Sequence, residues 1–300
     1  MPGIVDVPGV EIYGKGRGFY DLPCGLITDD GVAHRTVVLR EMTGEEEDMM
    51  DDDELLAHDR TTGVLAACCQ KIGAIDDKAT IRAAIGDSLK TGHALTSADR
   101  IAMLIYLRRV SVGDMYHFER RCPRCGYVNK GKHLDLRKLK ISRVPDDRVS
   151  KRRVKVTLPR SGREAIVRVL SASQEHKITG LRLNQKDLKS AAILARLESI
   201  SVETPETDSE GKPTGKTKVT HQQLDDPQAG MVIVKALPSA DRDYLRRVYD
   251  AMEAEVDTTV EVVCSGRICN AEFSFPLDLG QSFFSNLGAK DVSVEALNWL

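Results

Sequence analysis

What constrains this chain most is a pair of short-spaced cysteine couples, Cys122-Pro123-Arg124-Cys125-Gly126 and Cys264-Ser265-Gly266-Arg267-Ile268-Cys269. In a C-P-x-C-G turn two thiolates flank a reversal whose backbone amides point at sulfur, and the glycine lets the chain turn past the second ligand. The second couple is looser, with four residues between its thiols, yet it still closes a turn, and Gly266 eases the reversal. Both lie between segments of strand character: DMYHFERR and YVNKGKHLDL around the first, TTVEVV and AEFSFPL around the second. Structural zinc takes four ligands and one couple supplies two, so two cysteine-tipped hairpins docked across one ion make a zinc ribbon. A structural Zn2+ on Cys122, Cys125, Cys264 and Cys269 is therefore expected. Two alternatives stay open: separate thiol pairs, one of them redox-active, or a histidine in place of a weak fourth ligand, with His117 and His133 flanking the first couple. No βαβ pattern surrounds Cys122, which argues against redox chemistry. Four thiolates leave no coordination position for water, which argues against catalysis. A shared ion ties the middle of the chain to its C-terminal end and fixes what lies between.

Composition supports a metal rather than disulfides. With 41% hydrophobic and 29% charged residues, the 300-residue chain reads as an ordinary soluble globular protein. No window of about 18 apolar residues is present to span a bilayer. The first residues lack the layout of a signal peptide, so the chain is expected in the reducing cytosol where it is made. A net charge of −2 gives no global push toward nucleic acid or an anionic membrane. There is no Gly-rich phosphate loop, H-E-x-x-H or G-x-S-x-G, and the histidines show no ligand spacing with carboxylates. Neither an enzyme nor a small-molecule substrate is expected.

Along the chain the pattern predicts an α+β protein: helical segments, β-hairpins and the zinc-ribbon-like element. Residues 1–20, rich in Gly and Pro, form an extended arm. The region 21–113 mixes strands and helices. It opens with two strands around an Asp29-Asp30-Gly31 turn. Thr43 and Glu46 then make a capping box, ahead of an acidic run from Glu45 to Glu54. Helices are expected over 62–90, with Cys68 and Cys69 as small packing residues, and over 96–110, where Ile101, Leu104, Ile105 and Leu107 form a stripe and Thr96 with Asp99 marks the start. Hairpins at 114–137 and 257–279 carry the cysteines. Between them, 138–256 inserts a basic hairpin, helices at 173–199 and 238–254 (capped by Ser239), and a flexible loop or β-excursion at 201–230. A tail, 280–300, follows.

The order of motifs resembles the T4-type bacteriophage baseplate protein family of contractile-tailed phages, over roughly residues 20–285. The chain runs LPCG (22–25), VVLREMTGEEE (37–47), IYLRRVSVGDMYHFERRCPRCG (105–126), LDL (134–136) and KVTLPRSGREAIVRVL (155–170). LPSADRDYL (237–245), the second cysteine couple and FSFPLDLGQSFF (273–284) follow. The resemblance implies a non-catalytic structural subunit of the tail baseplate or its hub. Such a subunit is assembled in the host cytoplasm into a symmetric multi-subunit particle, and its partners are other tail and baseplate proteins. The 201–230 segment exceeds the family's compact pattern. From the residues, the acidic run (45–54), the basic stretch (137–163) and Phe273, Phe275, Phe283 and Phe284 suit a protein that packs into neighbours. Phe283 and Phe284, adjacent in extended chain, point opposite ways: one fills its own core and the other reaches a partner, or both lie in the core. A nucleic-acid-binding zinc-ribbon factor is the alternative, because 137–163 holds eleven basic residues against Asp146 and Asp147. Against it stand the near-neutral total and the lack of aromatic stacking positions in that stretch. A transient tail-assembly chaperone is a third reading.

Overall fold

The computed structural model describes residues 18–284 apart from 91, 180, 182 and 208–212. Nearly all of the N-terminal arm, the tail beyond 284 and the tip of the 201–230 excursion lie outside the described residues. Helices alternate along the chain with several small sheets, all of them antiparallel, which is the expected α+β class. No helix among the described residues is long and apolar enough to cross a membrane.

Strands β1 (Phe19–Ile27) and β2 (Ala33–Leu39) pair around the Asp29-Asp30-Gly31 turn. Their register breaks between Asp21 and Leu26, at Pro23-Cys24-Gly25. Gly25 there has φ +84°, and a Cβ on it would sit 2.5 Å from the His34 carbonyl, so the bulge requires glycine. Helices α1 (Gly44–Asp51) and α2 (Ala57–Cys68) follow, then β3 (Cys69–Ile72), which adds to the sheet beside β2. The single helical stretch expected over 62–90 is therefore interrupted. α2 ends at Cys68, Cys69 opens a strand, and helix resumes as α3 (Lys78–Ile85). Pairing with Val38 and Val37 of β2 outweighs the helical spacing of this stretch.

Glu46, 3 % exposed, accepts from the Thr43 amide at 2.9 Å and from both terminal nitrogens of Arg40, at 2.6 and 2.9 Å. The Arg40 hydrogen bonds are the main reason its carboxyl is held down to about 2. Because the folded value lies below the unfolded one, the pair stabilises above the ordinary carboxylate range and is lost as pH falls toward 2. Glu46→Gln is expected to cost about 1–2 kcal/mol at neutral pH and nothing near pH 2. Urea titrations at the two pH values check this, and an equal cost at both is the result that contradicts it.

Helix α4 (Ser97–Ser111) starts on the expected Thr96–Asp99 capping box. Ala102, Met103, Leu104, Ile105, Tyr106, Leu107 and Val110 are all buried, so it is a central helix covered nearly all round, not one with a single apolar stripe. After it, β4 (Met115–Arg121) and β5 (Val128–Asp135) form the first cysteine hairpin.

The basic hairpin is β6 (Arg153–Thr157) and β7 (Glu164–Arg168). It continues into a four-stranded sheet, β6-β7-β8-β9, with β8 (Leu197–Thr207) and β9 (Pro213–Gln223). Among the described residues the 201–230 segment is thus the β-excursion of the two expected forms, not the flexible loop. The helix expected over 173–199 is α5 (Ala172–Thr179) and α6 (Leu188–Arg196), and it gives way at Leu197 to strand pairing with Val167. Helices α7 (Pro227–Ala236) and α8 (Ser239–Met252) complete this part. Ser239 is the first helical residue and Pro238 the cap, a correction to the expected Ser239 cap. Ala165, Val167, Ile193, Leu194, Leu197, Ile200, Val234 and Leu245 form its core. Asp241, fully buried, accepts from the Arg160 and Ser161 amides at 2.7 and 3.1 Å, which pins the β6–β7 turn to α8.

The second cysteine hairpin, β10 (Thr259–Val263) and β11 (Glu272–Pro276), packs against the first around Tyr116, Phe118, Val260, Val262, Leu277 and Phe283. Ile105 of α4 joins this cluster. Phe283 and Phe284 lie on a one-turn helix, α9 (Gln281–Phe284), not in extended chain. Phe283 is fully buried and the half-buried Phe284 packs beside it, so both face this chain's own core. Arg108, 1 % exposed, donates to the carbonyls of Phe283, Gly113 and Met115 at 2.7, 2.9 and 3.2 Å, which ties α9 to the end of α4.

Candidate metal centre

In β4–β5 the pairing runs from Met115 opposite Asp135 to Arg121 opposite Val128, so residues 122–127 form the hairpin tip. The Cys122 amide donates to the Tyr127 carbonyl at 2.8 Å and the Gly126 amide to the Cys122 carbonyl at 3.0 Å. Gly126 takes φ +75°, the left-handed conformation that closes the turn. The other tip is built alike. The Cys264 amide donates to Ala271 at 2.9 Å and the Cys269 amide to Gly266 at 3.0 Å. Asn270, at φ 42°, supplies the left-handed residue there, a conformation asparagine tolerates.

The tips meet. Cys122 Sγ lies 3.8 Å from Cys269 Sγ, Cys125 Sγ lies 3.7 Å from Cys264 Sγ, and all four sulfurs fall within 4.8 Å of one another. A disulfide requires about 2.05 Å. A tetrahedron with metal–thiolate bonds of about 2.3 Å has edges of about 3.8 Å, which the two closest contacts match. The couples form one group, since each close contact joins a sulfur of one hairpin to a sulfur of the other. All four cysteines expected from the sequence are brought together, and no histidine among the described residues joins them. His117 and His133 instead oppose each other across β4–β5, ring centroids 6.1 Å apart.

Backbone amides lower the charge cost of the site. The Cys122 thiol is held down to about 7, first by the Cys125 amide and then by that of Arg124. The amides of Tyr127 and Gly266 act the same way on Cys125 and Cys264, but partial loss of water and the neighbouring thiols prevail and push both up. Four sulfurs at this spacing do not ionise together without a cation among them. The group can hold a metal ion and, once it does, has no vacant coordination position. The other cysteines are buried packing thiols: burial pushes Cys24 up to about 11, and Cys68 and Cys69 each to about 12.

Asn129 was not legible as part of the site. Fully buried, it donates its amide to the carbonyls of Arg120 and Tyr127 at 3.2 and 3.4 Å, and its nitrogen lies 4.0 Å from Cys264 Sγ. Its oxygen accepts from the Ser265 amide at 2.7 Å, so one side chain fastens both tips. The available signal was asparagine, a poor strand former, inside a strand. Phe118 meets Phe275 edge-on at 5.3 Å and the Arg120 guanidinium lies 4.5 Å over the Phe275 ring, which joins the hairpins below the tips. Asn129→Ala is expected to weaken metal binding roughly tenfold to a hundredfold, read by competition with a chromogenic chelator. Retention equal to the parent contradicts that role.

Five of the eleven basic residues of 137–163 are engaged within the chain. Arg137 pairs with Asp135, Arg143 with Asp146, Arg153 with Glu198 and Lys155 with Glu164. Arg152 donates to the carbonyls of Ala94, Gly25 and Val149. A scan against protein-family models and searches of curated proteins and of solved structures give no match to this chain.

Proposed function

We propose that the chain is a non-catalytic structural subunit of a contractile phage tail baseplate, at or near its hub, held in shape by a structural Zn2+ on Cys122, Cys125, Cys264 and Cys269. The observation that carries the zinc assignment is the group of four sulfurs, one couple from each hairpin, at tetrahedral spacing. Zinc is the ion that an all-thiolate, closed tetrahedral site suits in a protein with no sign of redox chemistry. The subunit reading rests on the order of sequence motifs. Within the fold, polar residues of those motifs clasp other segments of the same chain. Asp241 of LPSADRDYL holds the LPRSG turn, and Arg108 of IYLRRV holds the backbone of QSFF. The subunit acts by protein–protein contact within a symmetric particle, with no small-molecule substrate.

The test is mass spectrometry of purified DNA-containing particles, together with zinc analysis of the isolated chain. A few copies per particle and one zinc per chain are expected. Absence from particles with abundance in infected-cell extracts overturns the subunit role in favour of the assembly chaperone. A salt-dependent affinity for DNA in a chain absent from particles favours the nucleic-acid factor.

A further inference from the structure

A groove of about 660 Å³ opens between the 142–156 stretch and the end of α8. Its cationic rim is Arg143, Arg148, Lys151 and Arg153, against the carboxylates Asp250 and Glu253. Glu253 is already held by Arg196 through two hydrogen bonds of 2.8 Å, Arg143 faces Asp146, and Arg153 faces Glu198. Among the described residues, Arg148 and Lys151 carry no carboxylate partner, and both are exposed. The floor is apolar: Val144, Val154, Val156, Val248 and Met252, each half-buried. A surface of this kind selects an occupant with carboxylates for the rim and aliphatic side chains for the floor. Nucleic acid fits it less well, because the lining offers no aromatic ring for a base to stack on.

The same chain displays such an occupant elsewhere. From the last residue of α1 the backbone leaves the helix and runs Asp51-Asp52-Asp53-Glu54-Leu55-Leu56. The Asp53 side chain is 99% exposed and meets the Arg60 guanidinium at 3.1 Å, Glu54 is exposed, and Leu55 and Leu56 are 41% and 53% exposed. In this structure the run and the groove are both open, so neither covers the other within one molecule. We infer that the groove at 142–156 and 248–253 receives the acidic, leucine-bearing run 51–56 of a second copy. The contact joins two different surfaces of identical chains. It is therefore head-to-tail, and repeated it closes a ring or extends a row. It extends the subunit reading with a partner and a surface, and it does not involve the metal centre.

Sedimentation velocity of the full zinc-loaded chain over a range of concentration and salt tests this. The parent is expected to associate at low salt and dissociate as salt rises. Arg148→Glu with Lys151→Glu reverses the rim, and Asp53→Lys with Glu54→Lys reverses the run. Each double variant alone is expected to associate roughly tenfold more weakly or worse. Mixed, the two are expected to recover association, because native run then meets native rim and reversed run meets reversed rim, a recovery that misfolding of either variant does not produce. A third variant, Leu55→Ser with Leu56→Ser, is expected to weaken association at every salt concentration. A parent that stays monomeric, association insensitive to both reversals, or a monomer that binds oligonucleotide through Arg148 and Lys151 overturns the inference. Each of these outcomes leaves the particle count of the subunit test untouched, so the two readings fail separately.

Discussion

Cys122→Ser is expected to yield a chain without stoichiometric zinc, destabilised by on the order of 5 kcal/mol and melting well below the parent. The cost falls short of that of a zinc-finger peptide because the hairpins share an apolar core: Tyr116, Phe118, Val260, Val262 and Phe283 stay packed without the ion. What the variant loses is the fastening above that core, where the tip amides aim at sulfur and Asn129 bridges the tips. Hydrogen exchange should therefore show lost protection at Cys122, Gly126, Cys264 and Cys269 first, while β4 and β10 stay protected. Treating the parent with a strong chelator should reproduce the pattern. If the variant binds metal at parental stoichiometry and melts with the parent, the four-thiolate centre is wrong.

Asp99→Ala is expected to cost about 3–5 kcal/mol, as much as a large core truncation, although it removes no apolar surface. The Asp99 carboxylate is fully buried and accepts from four donors: the amides of Cys24, Gly25 and Thr96 at 2.7, 2.9 and 2.9 Å, and the Thr96 hydroxyl at 2.8 Å. The bulge in β1 turns the Cys24 and Gly25 amides away from the ladder, so without the carboxylate they are buried and unpaired. Asp99→Asn keeps the volume but replaces one acceptor with a donor that faces donors, and should recover less than half of the loss. Urea unfolding of both variants decides it. A cost below about 1 kcal/mol for the alanine variant shows that water or relaxation satisfies those amides.

The metal centre was legible because its signal is local. Two turns carry their ligands at fixed spacing between alternating strands, and one ion's need for four ligands links them across the chain. The same holds for α4, whose start is written in Thr96 and Asp99, and for the Asp29-Asp30-Gly31 turn. The errors lie where a strand took residues with helical spacing. Cys69–Ile72 and Leu197–Thr207 follow helices without a break because each continues into a sheet edge supplied from elsewhere, by β2 and β7. Local pattern carries no information about that edge. The second function of Asp99, as acceptor for a bulge some 75 residues upstream, was hidden for the same reason. As a capping residue it already had a sufficient local explanation. Asn129 was hidden because its partners are backbone groups, two carbonyls of its own hairpin and one amide of the other.

The separation of the two cysteine couples also sets an order of events on the ribosome. Cys125 and Cys264 lie 139 positions apart. At about 5–20 residues per second, roughly seven to thirty seconds pass between synthesis of the first couple and the second. During that interval the nascent chain exposes a two-thiolate half-site that no ion can saturate, while the sheet and helices between the couples have time to fold. An ion held by both couples would therefore close the centre only late in translation.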